Sequence, residues 1–159
     1  MTDQIFLDGV LKLCQHVEAL VPGSRTGICM ANEDGSRLKR AFFPNLPLTF
    51  EQAIRDISQL PPYFGSCNAA MHGREVITTH NMNQETRFDD RFVAHCLAHS
   101  IVALQSRPIY DGEGKPLGTF VMGFSEPRAA TDFDITLMEF AADAACELLR
   151  EARPKGGPS

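Results

Sequence analysis

The segment from Ile101 to Phe124, IVALQSRPIYDGEGKPLGTFVMGF, narrows the folds open to this chain more than any other. Two apolar runs flank Asp111-Gly112-Glu113-Gly114-Lys115, a stretch rich in residues that accept positive φ. That arrangement predicts a β-hairpin with a longer loop. Neither run alternates: Val102, Ala103 and Leu104 are consecutive apolar residues, as are Phe120, Val121 and Met122. Strands that read this way are covered on both faces, so helices are expected on each side of the sheet. Pro108 has no N–H to give a ladder and predicts a bulge or local break.

The rest of the chain supplies those helices. Phe6, Val10, Leu13, Val17 and Leu20 recur at three and four residues, predicting a helix over Ile5–Val21, and Leu7, Leu11 and Cys14 form a second stripe beside them. Pro22-Gly23 stops it. Thr26–Met30 and Leu38–Phe43 pair as a hairpin across Asn32-Glu33-Asp34-Gly35. Thr49 is placed to cap a short helix through Ile57, before Pro61-Pro62. Gly65 permits a close approach ahead of a short helix at Ala69–Met71, and Val76–Thr79 is a β-branched strand. Asn81–Arg87 reads as polar loop and Phe88–His99 as helix. Thr131, with Asp134 three residues on, resembles a capping box for a last helix reaching about Arg150. This order predicts an α+β domain around a mainly antiparallel sheet, with the two terminal helices neighbours on one face.

Composition removes several classes of function. At 159 residues the chain is one domain over 1–153, followed by a linker-like tail at 154–159. A net charge of −5 gives no global attraction for nucleic acid or an anionic membrane. No apolar run approaches the roughly 18 residues of a membrane span, and the N-terminus lacks the basic start of a signal peptide. Five scattered cysteines with no Cys-x-x-Cys pair read as reduced thiols of a cytoplasmic protein. Gly114-Lys115 is followed by Pro116, which rules out a P-loop, and Leu117 stands where a dinucleotide fingerprint needs glycine. No Gly-x-Ser-x-Gly elbow is present. His95 and His99, four apart with Cys96 between, could point two imidazoles at one metal. A zinc site needs further ligands that the sequence does not spell out, so no metal is assigned.

Several segments together resemble the GAF domains of bacterial signalling proteins, of the type found in sensor histidine kinases and cyclic-di-GMP cyclases and phosphodiesterases. They are Gly65-Ser66-Cys67-x-Ala69-Ala70 with Gly73-Arg74-Glu75-Val76, then Ser106-Arg107-Pro108-Ile109 with Leu117-Gly118-Thr119-Phe120, and Phe124-Ser125-Glu126-Pro127-Arg128 with Thr131. The resemblance extends to the first hairpin and covers nearly the whole chain. It implies a six-stranded, PAS-like sheet, with the terminal helices on one face and a small-molecule pocket on the other, roofed by residues 68–99. The expected pocket residues are Cys67, His80, Phe88, Phe92, Cys96, His99, Gln105 and Met122. The implied function is a regulatory ligand-sensing module that acts through its terminal helices as a homodimer, with a kinase or cyclic-di-GMP output as partner. Neither the ligand nor any cofactor is named by the sequence.

The alternative is a thiol-dependent oxidoreductase. Free-methionine sulfoxide reductases are stand-alone GAF proteins, and Cys67 matches the cysteine of their "GVCG-x-A" segment. Cys96 falls about one residue from their second catalytic cysteine. Their acidic substrate-binding residue has no match in Ala103–Pro108, and their upstream cysteine has none near Ile57. Bilin-binding relatives attach chromophore through a Cys where this chain has Phe92, so a photoreceptor is disfavoured.

Overall fold

The hairpin forms as expected and lies inside the sheet, not at its edge. The computed structural model describes residues 3–152, so the tail at 154–159 and the boundary at residue 153 lie outside the described residues. In chain order the elements are α1 (Asp3–Leu20), β1 (Ser24–Ala31), β2 (Arg37–Phe42), α2 (Leu48–Gln52), β3 (Ile57–Ser58), α3 (Ser66–Gly73), β4 (Ile77–Thr79), a 3₁₀ turn (Met82–Gln84), α4 (Asp90–Ala98), β5 (Ala103–Tyr110), β6 (Pro116–Phe124) and α5 (Asp132–Glu151). They build one six-stranded antiparallel sheet in the order β3-β2-β1-β6-β5-β4.

Both faces of the central strands are buried. On one face α1 and α5 cover Ile28, Phe120, Met122 and Ala103 with Phe6, Val10, Cys14, Val17, Met138, Ala145 and Leu149. On the other, α2, α3 and α4 cover Cys29, Leu104 and Val121 with Phe50, Cys67, Met71, Phe92 and Cys96. Each large apolar side chain buried this way contributes about 1.5–3 kcal/mol. Two layers flanking one sheet are what unalternating strands require.

Three details differ from expectation. The ladder runs unbroken through Pro108, which lies opposite Thr119, and the register slips one residue later, between Ile109 and Tyr110. β4 pairs only with Leu104, Gln105 and Ser106, so beyond Ser106 the strand is an edge, where proline is tolerated. The helix expected from Thr49 to Ile57 ends at Gln52. Pro47, not Thr49, occupies its N-cap, and the Thr49 hydroxyl bonds instead to His99 Nε2 at 2.9 Å. Asp56 then takes a left-handed conformation and turns the chain, so that Ile57 and Ser58 pair with Leu38 and Arg37 as the sixth strand. The segment read as polar loop at 81–87 contains the 3₁₀ turn, with Met82 wholly buried in the α3–α4 core. The Glu85 carboxylate anchors this segment, accepting from Thr79 Oγ1 at 2.6 Å and Arg87 Nη2 at 2.7 Å.

Gly118 explains why β1 and β6 can lie so close at one point. Its φ is +152°, and a Cβ there would sit 2.0 Å from the carbonyl oxygen of Cys29. Backbone, unlike a flexible side chain, cannot step aside. Gly118→Ala is expected to destabilise the fold by at least about 2 kcal/mol, read as a lowered urea midpoint with an unchanged m-value.

Candidate functional site

The α3–α4 face of the sheet holds the concentration of chemistry in this chain. Gly65 occupies the N-cap of α3. A Cβ on Gly65 would meet the Phe92 ring at 2.4 Å, so only glycine lets α3 begin against α4. Asn68 fixes that start: its Oδ1 accepts from the Gly65 N–H at 3.1 Å, and its amide donates to the Ser58 carbonyl at 3.0 Å. The first turn of α3 is thereby pressed onto β1, β6 and β5.

Beneath it lies a set of small polar groups sealed from solvent. Ser66 Oγ and Ser106 Oγ are 2.8 Å apart, and Ser106 Oγ lies 3.7 Å from Cys67 Sγ. Cys67 Sγ is 3.3 Å from Cys29 Sγ, which rises from β1. Thr119 Oγ1, buried on β6, has no hydrogen-bond partner among the described residues. The contact between Cys29 and Cys67 drives the acidities of the two thiols in opposite directions. The neighbouring Cys67 sulphur and burial raise the Cys29 thiol well above its ordinary value. The Cys29 S–H, outweighing the opposing effect of burial, holds Cys67 below its ordinary value. Cys96 is fully buried and pushed up to about 12, chiefly by desolvation. All five cysteines are free thiols.

His95 and His99 do not converge on a metal position. His95 Nε2–H donates to the Phe50 carbonyl at 3.0 Å, and its ring stacks on Phe50. His99 Nδ1–H donates to the His95 carbonyl at 2.9 Å, which leaves Nε2 to accept from Thr49. Among the described residues no group of three or more His, Cys, Asp or Glu side chains is arranged to hold a metal ion.

Residues 10–149 match the family model for the GAF domain. The chain belongs to the GAF family. No curated protein matches the sequence. Solved structures carry the same fold at low identity. The GAF domain of a two-component sensor histidine kinase from Bacillus halodurans is 16% identical, with 91% of this chain and 92% of that one covered and a TM-score of 0.66. A GAF domain/HD domain protein from Geobacter sulfurreducens is 11% identical, with 92% of each chain covered and a TM-score of 0.71. A type II free methionine-R-sulfoxide reductase from Thermoplasma acidophilum is 14% identical, with 93% and 94% covered and a TM-score of 0.69. At these identities the likeness is one of fold.

Within this GAF domain the expected pocket residues divide. Cys67, Phe88, Phe92 and Cys96 share the α3–α4 core, with Phe88 and Phe92 in edge contact at 5.7 Å. His99 stands at the rim of that core, against Phe50. His80 is exposed, and its carbonyl accepts from the Arg128 N–H at 2.9 Å. Gln105 and Met122 lie directly opposite each other in the β5–β6 ladder and face α5 instead. The residues of those strands that do face α3 are their neighbours: Leu104, Ser106, Thr119 and Val121. A shift of one residue moves every side chain to the other face. Cys29, Ser66, Ser106 and Thr119 lie buried on this face as well and are not among the expected residues. Their signal is a small polar group or thiol set inside an otherwise apolar strand or helix start. An open cleft also exists between α1 and β2, lined by Phe6, Leu7, Met30 and Arg40, on the far side of the sheet from this cluster.

Gln105 has a different role. Its amide donates to Asp134 Oδ2 at 3.1 Å, at the first turn of α5. Asp134 also accepts from Arg128 Nε at 3.0 Å and Nη2 at 2.8 Å, and exchanges capping-box bonds with Thr131. Its side chain is fully buried, and burial alone would raise its pKa. Arg128, Gln105 and Thr131 outweigh that effect and lower it to about 2. A depressed carboxylate stabilises the fold above its unfolded value of 3.8 and ceases to do so as pH falls toward 2. The contribution lost is on the order of 2 kcal/mol. Glu85, also lowered to about 2, titrates over the same window. Asp134→Asn is therefore expected to cost about 3 kcal/mol at neutral pH, and to remove about half of the stability loss seen between pH 4 and pH 2 in acid titrations followed by circular dichroism.

Proposed function

We propose that this GAF domain is a regulatory module of signal transduction that binds a small molecule at the α3–α4 face and passes its ligand state to α1 and α5. The observation that carries this reading is the placement of two consecutive residues of β5. Ser106 reaches Ser66 at the start of α3, while Gln105 reaches Asp134 at the start of α5. A displacement of α3 by a ligand would act on the same short piece of strand that holds α5. Buried hydroxyls at Ser66, Ser106 and Thr119, on the same face as the Phe64–Phe92–Phe88 ring cluster, offer the mixture of apolar wall and a few polar groups typical of ligand sites. Side chains fill the centre of this face, so binding requires the roof to move, by selection of a minor open state or by rearrangement. The partner is a kinase or cyclic-di-GMP output unit. A GAF domain/HD domain protein and a sensor kinase among the structural neighbours support that kind of context.

The reading is tested by native mass spectrometry of the purified chain, with thermal-shift screening against nucleotides, amino acids and their derivatives. A small molecule retained under native conditions and released on denaturation is the expected result. A hundredfold excess over Kd would add about 2.7 kcal/mol of stability. The competing reading is a thiol reductase, favoured by the lowered Cys67 thiol and opposed by the raised Cys96. Reduction of free methionine-R-sulfoxide that disappears in Cys67→Ser would replace the sensor reading with the enzyme.

Transmission requires a second subunit. The final helix buries Met138, Ala141, Ala142, Ala145 and Leu149 against its own sheet. Phe133, Ile135 and Phe140 remain outward, Phe140 with 69% of its surface exposed, as do Ile5, Leu7 and Leu11 of α1. This second apolar face supports a symmetric homodimer through the terminal helices. Sedimentation at micromolar concentration is expected to give a dimer that Phe140→Asp converts to monomer. A wild-type monomer unaffected by that change would remove the interface and the transmission route with it.

A further inference from the structure

Independently of any ligand, the pair Cys29 and Cys67 is built for chemistry of its own. We propose that these two residues form a reversible intramolecular disulfide when the protein meets a hydroperoxide, making the junction of β1 and α3 an oxidation site.

The geometry supplies the argument. Cys29 sits on a central strand held on both sides by β2 and β6, and Cys67 sits in the first turn of α3. Their sulphurs already face each other at 3.3 Å, though they stand 38 positions apart in sequence. A disulfide of about 2.05 Å needs a further approach of roughly 1.3 Å, within reach of side-chain rotation and a small shift of α3. The two thiols have unlike roles. Cys67 has Cys29 Sγ at 3.3 Å and Ser106 Oγ at 3.7 Å, each able to donate to it, and lies in the first turn of its own helix, at the positive end. Each of these stabilises a thiolate on Cys67. Cys29 has none of its surface exposed and keeps its proton, while Cys67 retains 6%. Access is therefore restricted to a small oxidant, and attack begins at Cys67.

The chemistry balances in two steps. The Cys67 thiolate attacks one oxygen of the hydroperoxide, an S–O bond forms and the O–O bond breaks. Cys67 becomes a sulfenic acid, its sulphur oxidised by two electrons, and the peroxide leaves as hydroxide or alkoxide, which takes up a proton. Cys29 sulphur then attacks the Cys67 sulphur. The S–S bond forms, the S–O bond breaks, and hydroxide departs with the Cys29 proton as water. A dithiol reductant returns both cysteines to thiols. Cys96, fully buried and outside the 3.3 Å contact that joins Cys29 to Cys67, is a bystander.

The test is a disulfide map of the wild-type chain exposed to hydrogen peroxide and, separately, to diamide, then quenched in acid, alkylated in denaturant and digested with trypsin. Cleavage after Arg25, Arg37, Arg55 and Arg74 places Cys29 in peptide 26–37 and Cys67 in peptide 56–74, each with one cysteine. The expected product is these two peptides joined, two hydrogens lighter than their sum, and separated by dithiothreitol. Cys96→Ser should leave the cross-link intact. Cys29→Ser should abolish it and leave a Cys67 sulfenic acid that dimedone traps. The proposal is overturned if both peptides are recovered fully alkylated after either oxidant. It is also overturned if Cys67 is found joined to Cys96, or as sulfinic acid beside an alkylated Cys29. Because the wild-type map decides the matter alone, a variant that fails to fold does not weaken the test.

Discussion

Burial of β1, β6 and β5 on both faces is the constraint from which the rest of this GAF domain follows. A sheet whose central strands carry Ile28 and Cys29, or Phe120 and Val121, side by side must find apolar cover above and below. The chain meets the demand with two unlike layers. One is made of two long helices, α1 and α5, which reach along most of the sheet. The other is assembled from short pieces: α2, α3, α4 and the ordered segment around Met82. The long-helix layer is regular and mostly apolar, its buried polar groups held at the start of α5 and beside Thr26. The short-piece layer has many element ends, and element ends bring polar backbone and side-chain groups into the interior. That is why Ser66, Ser106 and the Cys29–Cys67 pair collect under α3, while the α1 side holds the single thiol of Cys14 beside the Thr26 hydroxyl.

The same double burial decided what could be read from the sequence. The terminal helices, the hairpin at 101–124 and the Thr131–Asp134 capping box were legible because helical periodicity, turn composition and capping chemistry are local signals. The facing of β5 and β6 was not. When residues on both faces are apolar, the period-2 pattern vanishes, and nothing in VALQ or FVMG says which residue looks up. Gln105 and Met122 were assigned to the wrong side for that reason, as a cross-strand pair. β3, only two residues long, has no pattern to read; its pairing depends on the left-handed turn at Asp56. Met82 was hidden by polar neighbours, since one buried side chain in a 3₁₀ turn leaves no periodic trace.

A low identity to sensor-kinase and reductase GAF domains alike means that the fold does not choose between their activities. The choice is made by side chains. Here Cys67 is poised by neighbours while Cys96 is buried and protonated, and the nearest sulphur to Cys67 belongs to Cys29 on the strand below. A thiol pair bridging strand and helix constrains the spacing of two layers, a structural property whether or not any substrate is turned over.

The four hydrogen bonds that converge on Asp134 from Arg128, Gln105 and the Thr131 backbone also restrict how α5 is able to move. Sliding the helix along its axis by even one residue, about 1.5 Å, would break them together. Tilting it about Asp134 would preserve them. The start of α5 is thus a pivot and its remaining length a lever arm. With 20 residues, α5 is about 30 Å long, so a tilt of about 4° carries its far end through about 2 Å. A disturbance too small to notice at the sheet would be delivered, enlarged, at Glu151.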